Sequence, residues 1–167
     1  MLTLNLAKIR TAHERFEKTY APEAVAAPGD SFSVAAPSEL AFDIYKDKDQ
    51  FRLVGNLKST LELPCSRCLE PFTWPVDASF DLRYQPRSTN SGEGERAVEE
   101  DDLSTAFYEN EEIDLGQLMR EQFYLSLPMK PLCRDDCQGL CSQCGINLNR
   151  GTCGCTRDWE DPRFEAL

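Results

Sequence analysis

The sequence predicts an α+β protein whose main part is an antiparallel β-sheet or a partly open barrel, with an N-terminal helix, one later helix and a cysteine-rich C-terminal segment. Apolar and polar residues alternate between residues 31 and 84, as they do in strands that bury one face. Helical spacing of apolar residues occurs before and after that region. All eight cysteines of the 167-residue chain fall in close pairs, and six of them lie near the C-terminus.

The first helix is predicted over residues 2–20, where apolar residues recur at the spacing of one helical face. Charged residues lie between them, as on the exposed side of an amphipathic helix. The stretch from Ala21 to Pro28 is rich in alanine and proline, so we expect it to end the helix and to form a connection. The apolar positions are Leu6, Ile9, Phe16 and Tyr20.

Strands are predicted from Ser31 onward, because the apolar period changes there to two. The run Lys-Asp-Lys-Asp at 46–49 indicates a turn within this region. Gly55 interrupts the alternation and is expected to mark a bulge or a site of close packing. The predicted core positions are Phe32, Val34, Ala36, Leu40, Phe42, Ile44, Phe51, Leu53, Leu57, Leu61 and Leu63.

A further long strand is predicted after the first cysteine pair, Cys65-Ser66-Arg67-Cys68. This pair lies in the connection between two long strands and is flanked by Pro64 and Pro71. We therefore expect a CxxC hairpin within a first domain of residues 1–86. The buried face of the further strand is predicted to carry Trp74, Val76, Ala78, Phe80, Leu82 and Tyr84.

Residues 87–112 lack apolar periodicity and are predicted to form an acidic flexible linker. They hold nine acidic residues and two arginines, Arg87 and Arg96, and so carry −7 of the net charge of −11. Segments of this composition bury too little apolar surface to order themselves. The linker is also a candidate binding site for a basic partner, since charge steering needs no fixed structure.

A second helix is predicted within the last part of the chain, residues 113–167. Asp114 is a candidate N-cap with Gln117 three residues later, and the helix must end before Pro128. We expect its apolar side to pack on the sheet and to bring the cysteine-rich segment near the CxxC hairpin. That side is formed by Leu115, Leu118, Met119, Gln122 and Leu125. Three residues are candidates for anchoring the tail: Trp159, Phe164 and Leu167.

The cysteine pairs indicate a zinc protein. Zn²⁺ binds soft thiolates four at a time, and two cysteines separated by a few positions can bind one ion from a single loop. The strongest signal is Cys141-Ser142-Gln143-Cys144-Gly145, whose glycine can adopt the positive φ of such a turn. The N-terminal sequence lacks the apolar core of a signal peptide, so we expect a cytoplasmic location, where such pairs are metal ligands or redox thiols.

Eight cysteines suffice for two four-thiolate zinc sites. We predict one site from Cys65, Cys68, Cys133 and Cys137, and the other from Cys141, Cys144, Cys153 and Cys155. A single zinc held by four of the last six cysteines is the alternative. Spacing alone does not distinguish zinc from an iron–sulfur cluster, which also uses four cysteines.

Composition argues against membrane insertion and against tight binding of nucleic acid. No run approaches the roughly 18 apolar residues that a membrane span requires. Binding to phosphates needs clustered lysine and arginine, and no such stripe is present in the sequence. Direct binding of nucleic acid is therefore expected to be weak or absent.

Several of these segments together resemble the YceD family, a domain family of bacteria and plastids. The resemblance runs from about Gln50 to the C-terminus, and it rests on GNLKSTLELPCSRCLEPF, LSLPMKPLC, CQGLCSQCGINLN, CGC and DPRFEAL. The segment from Cys133 to Cys155 matches the family's cysteine-rich tail. Its CxRCLE element is matched by Cys65, Arg67, Cys68, Leu69 and Glu70.

The family name, large ribosomal RNA subunit accumulation protein, implies a non-enzymatic factor that supports ribosome biogenesis. The acidity of the chain favours a basic ribosomal protein or a ribonucleoprotein as partner over naked RNA. No enzyme is expected, because the sole histidine, His13, is isolated and the carboxylates lie mostly in the linker. Sites closed by four thiolates are structural.

Two other functions stay open at this point. The CxxC pair could be a redox pair in which Arg67 lowers a thiol pKa, although the βαβ context of such proteins is missing. The cysteine-rich segment could also bind RNA weakly through Arg134, Arg150, Arg157 and Arg163, with Trp159 stacking on a base. Acidic neighbours oppose that binding, namely Asp135, Asp136, Asp158, Glu160 and Asp161.

Overall fold

The computed structural model describes residues 2–87 and 105–155. The chain forms two compact units. The first, here called the sheet unit, consists of Met1–Leu63 and Thr73–Met129. The second, the cysteine unit, consists of Pro64–Phe72 and Lys130–Leu167. The tip of the CxxC hairpin therefore belongs to the same unit as the cysteine-rich segment.

The sheet unit holds nearly all of the regular structure. The elements are β1 (Thr3–Asn5), a 3-10 helix (Leu6–Lys8), β2 (His13–Tyr20), α1 (Pro22–Val25), β3 (Ser33–Val34), β4 (Ser38–Asp47), β5 (Gln50–Pro64), β6 (Pro71–Pro86), β7 (Thr105–Tyr108), β8 (Glu112–Asp114) and α2 (Leu115–Ser126). Six of the strands form the main sheet in the order β2-β4-β5-β6-β7, with β3 paired to β5. Strands β1 and β8 form a separate antiparallel pair.

The predicted antiparallel sheet is confirmed in its main part. Strands β2, β4 and β5 pair antiparallel, with β2 along β4 and β4 along β5. Side-chain contacts from β5 to β6 run in opposite directions along the chain, from Arg52 to Asp81 and from Asn56 to Asp77. Strand β7 is parallel to β6. Among the described strands, the path from β2 to β7 does not close into a barrel.

The alternation of the sequence identifies the core of the sheet. Side chains on one face are buried because every second residue of a strand points to the same side. The residues of β4 alternate between buried and more exposed positions, and those of β5 do so along most of its length. The predicted core positions found buried are Phe32, Val34, Leu40, Phe42, Ile44, Phe51, Leu53, Leu57, Leu61, Leu63, Val76, Phe80 and Tyr84.

The N-terminal helix predicted over residues 2–20 is wrong. This stretch contains β1, the 3-10 helix and β2, and β2 pairs with β4 along its whole length. The ring of Phe16 stacks on that of Phe42, with the centroids 4.9 Å apart. Leu6 and Ile9 are buried as expected, but they lie in and just after the 3-10 helix. The run HERFEKTY also fits a period of two, and pairing with a neighbouring strand outweighed its helical spacing.

Gly55 is a site of close packing, one of the two roles expected for it. It lies opposite Phe42 on β4. A Cβ atom at this position would lie closer than 3.0 Å to the carbonyl oxygen of Ala41 and to the Cβ of Phe42. Only glycine allows the two backbones to approach in this way.

The predicted second helix is confirmed, with its N-cap. The side chain of Asp114 accepts hydrogen bonds from the backbone N–H groups of Gly116 and Gln117, at 2.9 and 3.1 Å. The side chain of Gln117 does not complete a reciprocal capping box, since it donates to Glu121. Helix α2 ends at Ser126, before Pro128 as expected.

The apolar face of α2 differs from the predicted one at its end. Leu125 is 79% exposed, whereas Phe123 is fully buried. The rings of Phe123 and Phe32 form a T-shaped pair, with their centroids 5.7 Å apart. Phe123 lies four residues after Met119, so the buried stripe continues through Phe123 and leaves Leu125 outside it.

The last part of the range predicted as an acidic flexible linker, residues 87–112, contains strands. Thr105–Tyr108 forms β7, and Glu112–Asp114 forms β8. Both strands are too short to show a period in the sequence, which is why the prediction missed them. Residues 88–104 lie outside the described residues. Helix α2 belongs to the sheet unit, and the predicted domain limits stay predictions.

None of the helices within residues 2–87 and 105–155 combines the length and the apolar character that crossing a membrane requires.

Replacing Gly55 with alanine is expected to destabilise the sheet unit by about 2 kcal/mol, because the new methyl group meets backbone atoms that cannot rotate away. Denaturant unfolding followed by circular dichroism measures the loss. Gly154→Ala is the matched control, since no heavy atom lies within 4 Å of a Cβ built there. Equal stability of the Gly55→Ala variant and the wild type would contradict the packing of β4 on β5.

Candidate metal centres

The first cysteine cluster joins the tip of the CxxC hairpin to the chain that follows α2. Cys65 and Cys68 come from the tip, and Cys133 and Cys137 come from the later segment. Their four sulfur atoms all lie within 4.8 Å of one another. The Sγ atoms of Cys65 and Cys137 are 3.8 Å apart, and those of Cys68 and Cys133 are 3.7 Å apart. Three of the four residues are at most 3% exposed, namely Cys65, Cys68 and Cys137.

The second cluster is formed within the cysteine-rich segment alone. The Sγ atoms of its four members also lie within 4.8 Å of one another. It is more accessible than the first cluster, since Cys144 is exposed and the other three are half-buried. Its members are Cys141, Cys144, Cys153 and Cys155.

Both donor sets fit one metal ion each. In a tetrahedral site with zinc–sulfur bonds of about 2.3 Å, the ligand sulfur atoms are about 3.8 Å apart. The first cluster matches this separation at 3.7 and 3.8 Å. A disulfide bond would bring two sulfur atoms to about 2.05 Å, and all eight cysteines are free. A cluster of several irons would hold its thiolates farther apart, because each iron takes its own ligands.

The two CxxC turns have the same backbone geometry. In each turn, the residue after the second cysteine donates its N–H to the carbonyl of the first cysteine at 2.9 Å. That residue is Leu69 in the first turn and Gly145 in the second, with φ values of 60° and 73°. The positive φ expected for Gly145 is therefore confirmed. Leu69 adopts the same conformation with a branched side chain, which is costly for any residue other than glycine.

Backbone hydrogen bonds attach the hairpin tip to the cysteine-rich segment. The backbone N–H of Ser66 donates to the carbonyl of Pro131 at 2.8 Å. The backbone carbonyl of Arg67 accepts a hydrogen bond from the N–H of Leu140 at 3.1 Å. The guanidinium of Arg67 donates to the carbonyl of Cys137 at 2.9 Å. The tip is thus held in place by contacts other than those of the sulfur atoms.

The backbone around each CxxC turn stabilises one thiolate. Burial raises the pKa of Cys65, but hydrogen bonds from backbone N–H groups, including those of Cys68 and Arg67, outweigh burial and lower this pKa to about 6. In the second cluster, the backbone N–H groups of Cys144 and Gln143 lower the pKa of Cys141 to about 6. The first cysteine of each turn therefore ionises more readily than an ordinary thiol.

Other thiols of the clusters are harder to ionise. Burial, followed by hydrogen bonding with Cys65, raises the pKa of Cys133 to about 12. Hydrogen bonding with Cys144, together with burial, raises the pKa of Cys155 to about 12. Thiolates crowded together repel one another, so a cation is needed for all of them to lose their protons. Metal binding would release these protons, and the affinity for metal would fall as the pH falls.

Comparison with known sequences identifies the family. Residues 53–167 match the family described as large ribosomal RNA subunit accumulation protein YceD. The match covers more than half of the chain and includes all eight cysteines. The chain belongs to the YceD family. The resemblance noted from the sequence motifs is thereby confirmed.

Several curated relatives share this YceD region. The "Large ribosomal RNA subunit accumulation protein YCED homolog 1, chloroplastic" of Arabidopsis thaliana is 26% identical over 152 residues, which cover 78% of this chain and 47% of the relative. An uncharacterized protein of Mycobacterium bovis is 36% identical over 104 residues, covering 62% of this chain and 47% of the relative. The chain spans about half the length of these relatives. No solved structure matches it.

The structure brings the cysteines of this YceD chain together in the same two groups of four that the sequence predicted. Binding of metal by these groups stays a prediction.

The redox hypothesis assigned Arg67 an effect on a thiol pKa. Its backbone N–H lies 3.5 Å from the sulfur of Cys65, whereas its guanidinium donates to two backbone carbonyls, those of Asp135 and Cys137.

Two of the arginines considered for RNA binding, Arg134 and Arg150, lie in the described part of the chain, and both form ion pairs. Arg150 pairs with Glu70 at 2.7 Å. Arg134 pairs with Asp136 at 3.3 Å and donates to the side-chain oxygen of Asn149 at 2.8 Å. The remaining residues of that hypothesis and of the predicted tail anchor lie outside the described residues, namely Arg157, Asp158, Trp159, Glu160, Asp161, Arg163, Phe164 and Leu167.

Asn149 is a site residue that the sequence analysis missed. Its side-chain amide donates to the sulfur of Cys137 at 3.3 Å. Its side-chain oxygen accepts from the backbone N–H of Gln138 at 2.8 Å, and its amide also donates to the side chain of Asn147 at 2.9 Å. Burial raises the pKa of Cys137, but the hydrogen bond from the Asn149 amide to its sulfur is one of the contacts that lower this pKa overall. The run Asn-Leu-Asn carries no spacing signal, so only the fold reveals this contact.

Replacing Asn149 with alanine is expected to weaken metal binding at the first cluster about 10- to 100-fold, because neighbours that orient a ligand have effects of this size. Competition with a chelator, combined with alkylation of each cysteine and mass spectrometry, measures the two clusters separately. Ser142→Ala, an exposed change in the second turn, is the control. A loss confined to the second cluster would contradict the assigned role of Asn149.

The shared geometry of the two turns predicts opposite effects of paired substitutions. Leu69→Gly is expected to stabilise the metal-loaded protein by up to about 1 kcal/mol, because glycine adopts the positive φ without strain. Gly145→Ala is expected to destabilise it by about 1 kcal/mol for the same reason. Thermal unfolding at fixed free zinc measures both. A change of the same sign in the two variants would show that backbone strain does not decide the outcome.

Proposed function

We propose that this YceD-family chain is a non-enzymatic factor that supports accumulation of large-subunit ribosomal RNA and ribosome biogenesis. In this proposal it binds a basic ribosomal protein or a ribonucleoprotein, and two structural zinc ions hold its cysteine unit together. The observation that carries the proposal is the presence of two separate groups of four cysteine sulfurs, each fitting one tetrahedral ion. The ligands of both ions are the eight cysteines predicted from the sequence.

The donor sets support a structural role for the metal. Four thiolates fill a tetrahedral site, so no position is left for a substrate or for a reactive water molecule. The first cluster connects two parts of the chain that are far apart in sequence, Cys65 with Cys68 and Cys133 with Cys137. Thiolate ligands persist in a reducing compartment, for which we propose the cytoplasm.

The family description and the names of the plant relatives support a role connected with ribosomal RNA. The net charge of −11 supports a basic partner, because an acidic surface repels phosphates and attracts lysine and arginine. The ion pairs of Arg134 and Arg150 reduce the charge available for direct contact with RNA. We therefore favour a protein contact within a ribonucleoprotein over naked RNA.

The purified protein is expected to contain two zinc ions per chain. Cys65→Ser and Cys141→Ser should each remove about one ion, because each cysteine belongs to a different cluster. Elemental analysis together with thiol counting before and after chelation measures this. A metal-free protein with a reversible Cys65–Cys68 disulfide would support the redox alternative instead. Visible absorption typical of iron would show that iron, and not zinc, occupies the sites.

A tagged full-length chain is expected to recover basic ribosomal proteins or large-subunit particles from a lysate of its own organism. Retention of basic proteins after nuclease treatment would support a direct protein contact, and loss of all partners would support RNA. Depletion of the protein should lower large-subunit RNA relative to small-subunit RNA. An unchanged ratio, with no ribosomal component recovered, would overturn the proposed function. Deletion of residues 88–104 tests whether the acidic segment contributes to recovery.

A further inference from the structure

The sheet unit contains a cavity of about 520 Å³ whose chemistry the metal centres do not use. It is lined by the end of β6, by β7 and β8, and by the first two turns of α2. A volume of this size falls within the range of pockets that bind small molecules or single side chains. Its walls combine aromatic rings, among them Tyr84, Phe107 and Tyr108, with several carboxylates.

The charge of the walls selects for a cation. Four carboxylates and one guanidinium, that of Arg87, line the cavity, and together they carry a formal charge of −3. Arg87 is paired with Glu109, so its charge is locally neutralised. A ligand with a positive group is therefore favoured over an anion. The four carboxylates belong to Glu109, Glu112, Asp114 and Glu121.

The N-terminus of α2 also lies at this cavity, but it does not make an anion site. The carboxylate of Asp114 already accepts hydrogen bonds from the N–H groups of Gly116 and Gln117. The helix contributes a partial positive charge of about half a unit at this end, which is smaller than the net negative charge of the walls. The carboxylates therefore determine the sign of the ligand.

Tyr84 provides a second and independent indication of a ligand. Its side chain lines the cavity and the residue is only 7% exposed. Within the described part of the chain, its hydroxyl group has no hydrogen-bond partner. Burial and the charges of Glu121 and Asp114, two other wall residues, raise its pKa, so the phenol stays protonated. Water in the cavity is left to serve this hydroxyl group in the free protein, and an N–H donor placed in the cavity can replace that water.

We propose that this cavity binds an arginine side chain presented by a basic segment of the protein partner. This inference rests on the proposed function, since it names the part of the surface that receives the basic partner. A guanidinium group has five N–H donors for the carboxylates and for the oxygen of Tyr84. Its flat face can stack on an aromatic ring, and Phe107 is available because it is 44% exposed. Lysine lacks both the fork of donors and the flat face.

The direct test titrates the full-length, metal-loaded chain with the pentapeptide Ala-Ala-Arg-Ala-Ala, acetylated and amidated at its ends. Amide resonances in two-dimensional NMR report the binding. We expect saturable shifts confined to residues 105–121 and the end of β6. The same peptide with citrulline in place of arginine keeps the shape and removes the charge, so it should bind at least tenfold more weakly. Shifts spread evenly over all acidic surfaces, or none that saturate, would overturn the proposal.

Variants of the wall residues test the assigned contacts. Glu112→Gln combined with Glu121→Gln should weaken binding of the arginine peptide at least tenfold. Glu39→Gln combined with Glu62→Gln changes the net charge equally on exposed strand positions, and binding should stay within twofold of the wild type. Tyr84→Phe should weaken binding severalfold without lowering the thermal stability, since the hydroxyl has no hydrogen-bond partner among residues 2–87 and 105–155. Equal losses in the two charge variants would show unspecific attraction and overturn the assignment.

The outcome separates this inference from the proposed function. If the wild-type chain recovers ribosomal components and the Glu112→Gln, Glu121→Gln variant recovers them equally, the cavity inference fails and the function stands. If the arginine peptide binds in the cavity but no ribosomal component is recovered, the cavity site stands and the proposed function fails. Loss of recovery in the cavity variant, with the control pair unaffected, supports both.

Discussion

Electrostatic repulsion among closely packed sulfur atoms is the constraint on which the cysteine unit depends. Each cluster brings four sulfurs within 4.8 Å of one another, and thiolates at such distances repel strongly unless positive charge lies among them. Backbone N–H groups supply part of that charge, and they do so at the first cysteine of each CxxC turn. A divalent cation at each cluster, as we propose, would supply the remainder. The fold of the unit and its chemistry are therefore two aspects of one electrostatic arrangement.

The sheet unit and the cysteine unit meet different physical demands. The sheet is stabilised by apolar burial along β4, β5 and β6, where alternation places large side chains such as Phe42 and Leu53 in the core. The described part of the cysteine unit has a much smaller apolar cluster, in which Phe72 and Leu132 pack against three of the cysteines. Such a small core supplies little stability, so the unit depends on its hydrogen bonds, to which the proposed metal ions would add.

The sequence allowed prediction of features that are periodic or local. Alternation identified the strands from residue 31 to residue 84, and a capping residue with helical spacing identified α2. The cysteine pairs followed from their short spacing, and their grouping followed from the expected packing of α2 on the sheet. The N-terminal helix was wrong because β2 is an edge strand whose residues fit two periods, and only pairing with β4 decides between them. Asn149 and β7 could not be predicted, since their roles arise from contacts between segments distant in sequence.

The pairing of sulfur atoms in the first cluster has a topological consequence. Cys68 and Cys133 are 65 positions apart in the chain, and an ion bound by both closes the intervening polypeptide into a ring. The entropy lost on closing a ring grows only with the logarithm of its length, so doubling the length costs about 0.6 kcal/mol. Insertions between β6 and β7 should therefore be tolerated over evolutionary time. Loss of the ion, in contrast, opens the ring and returns all of the closure entropy to the unfolded chain in a single step.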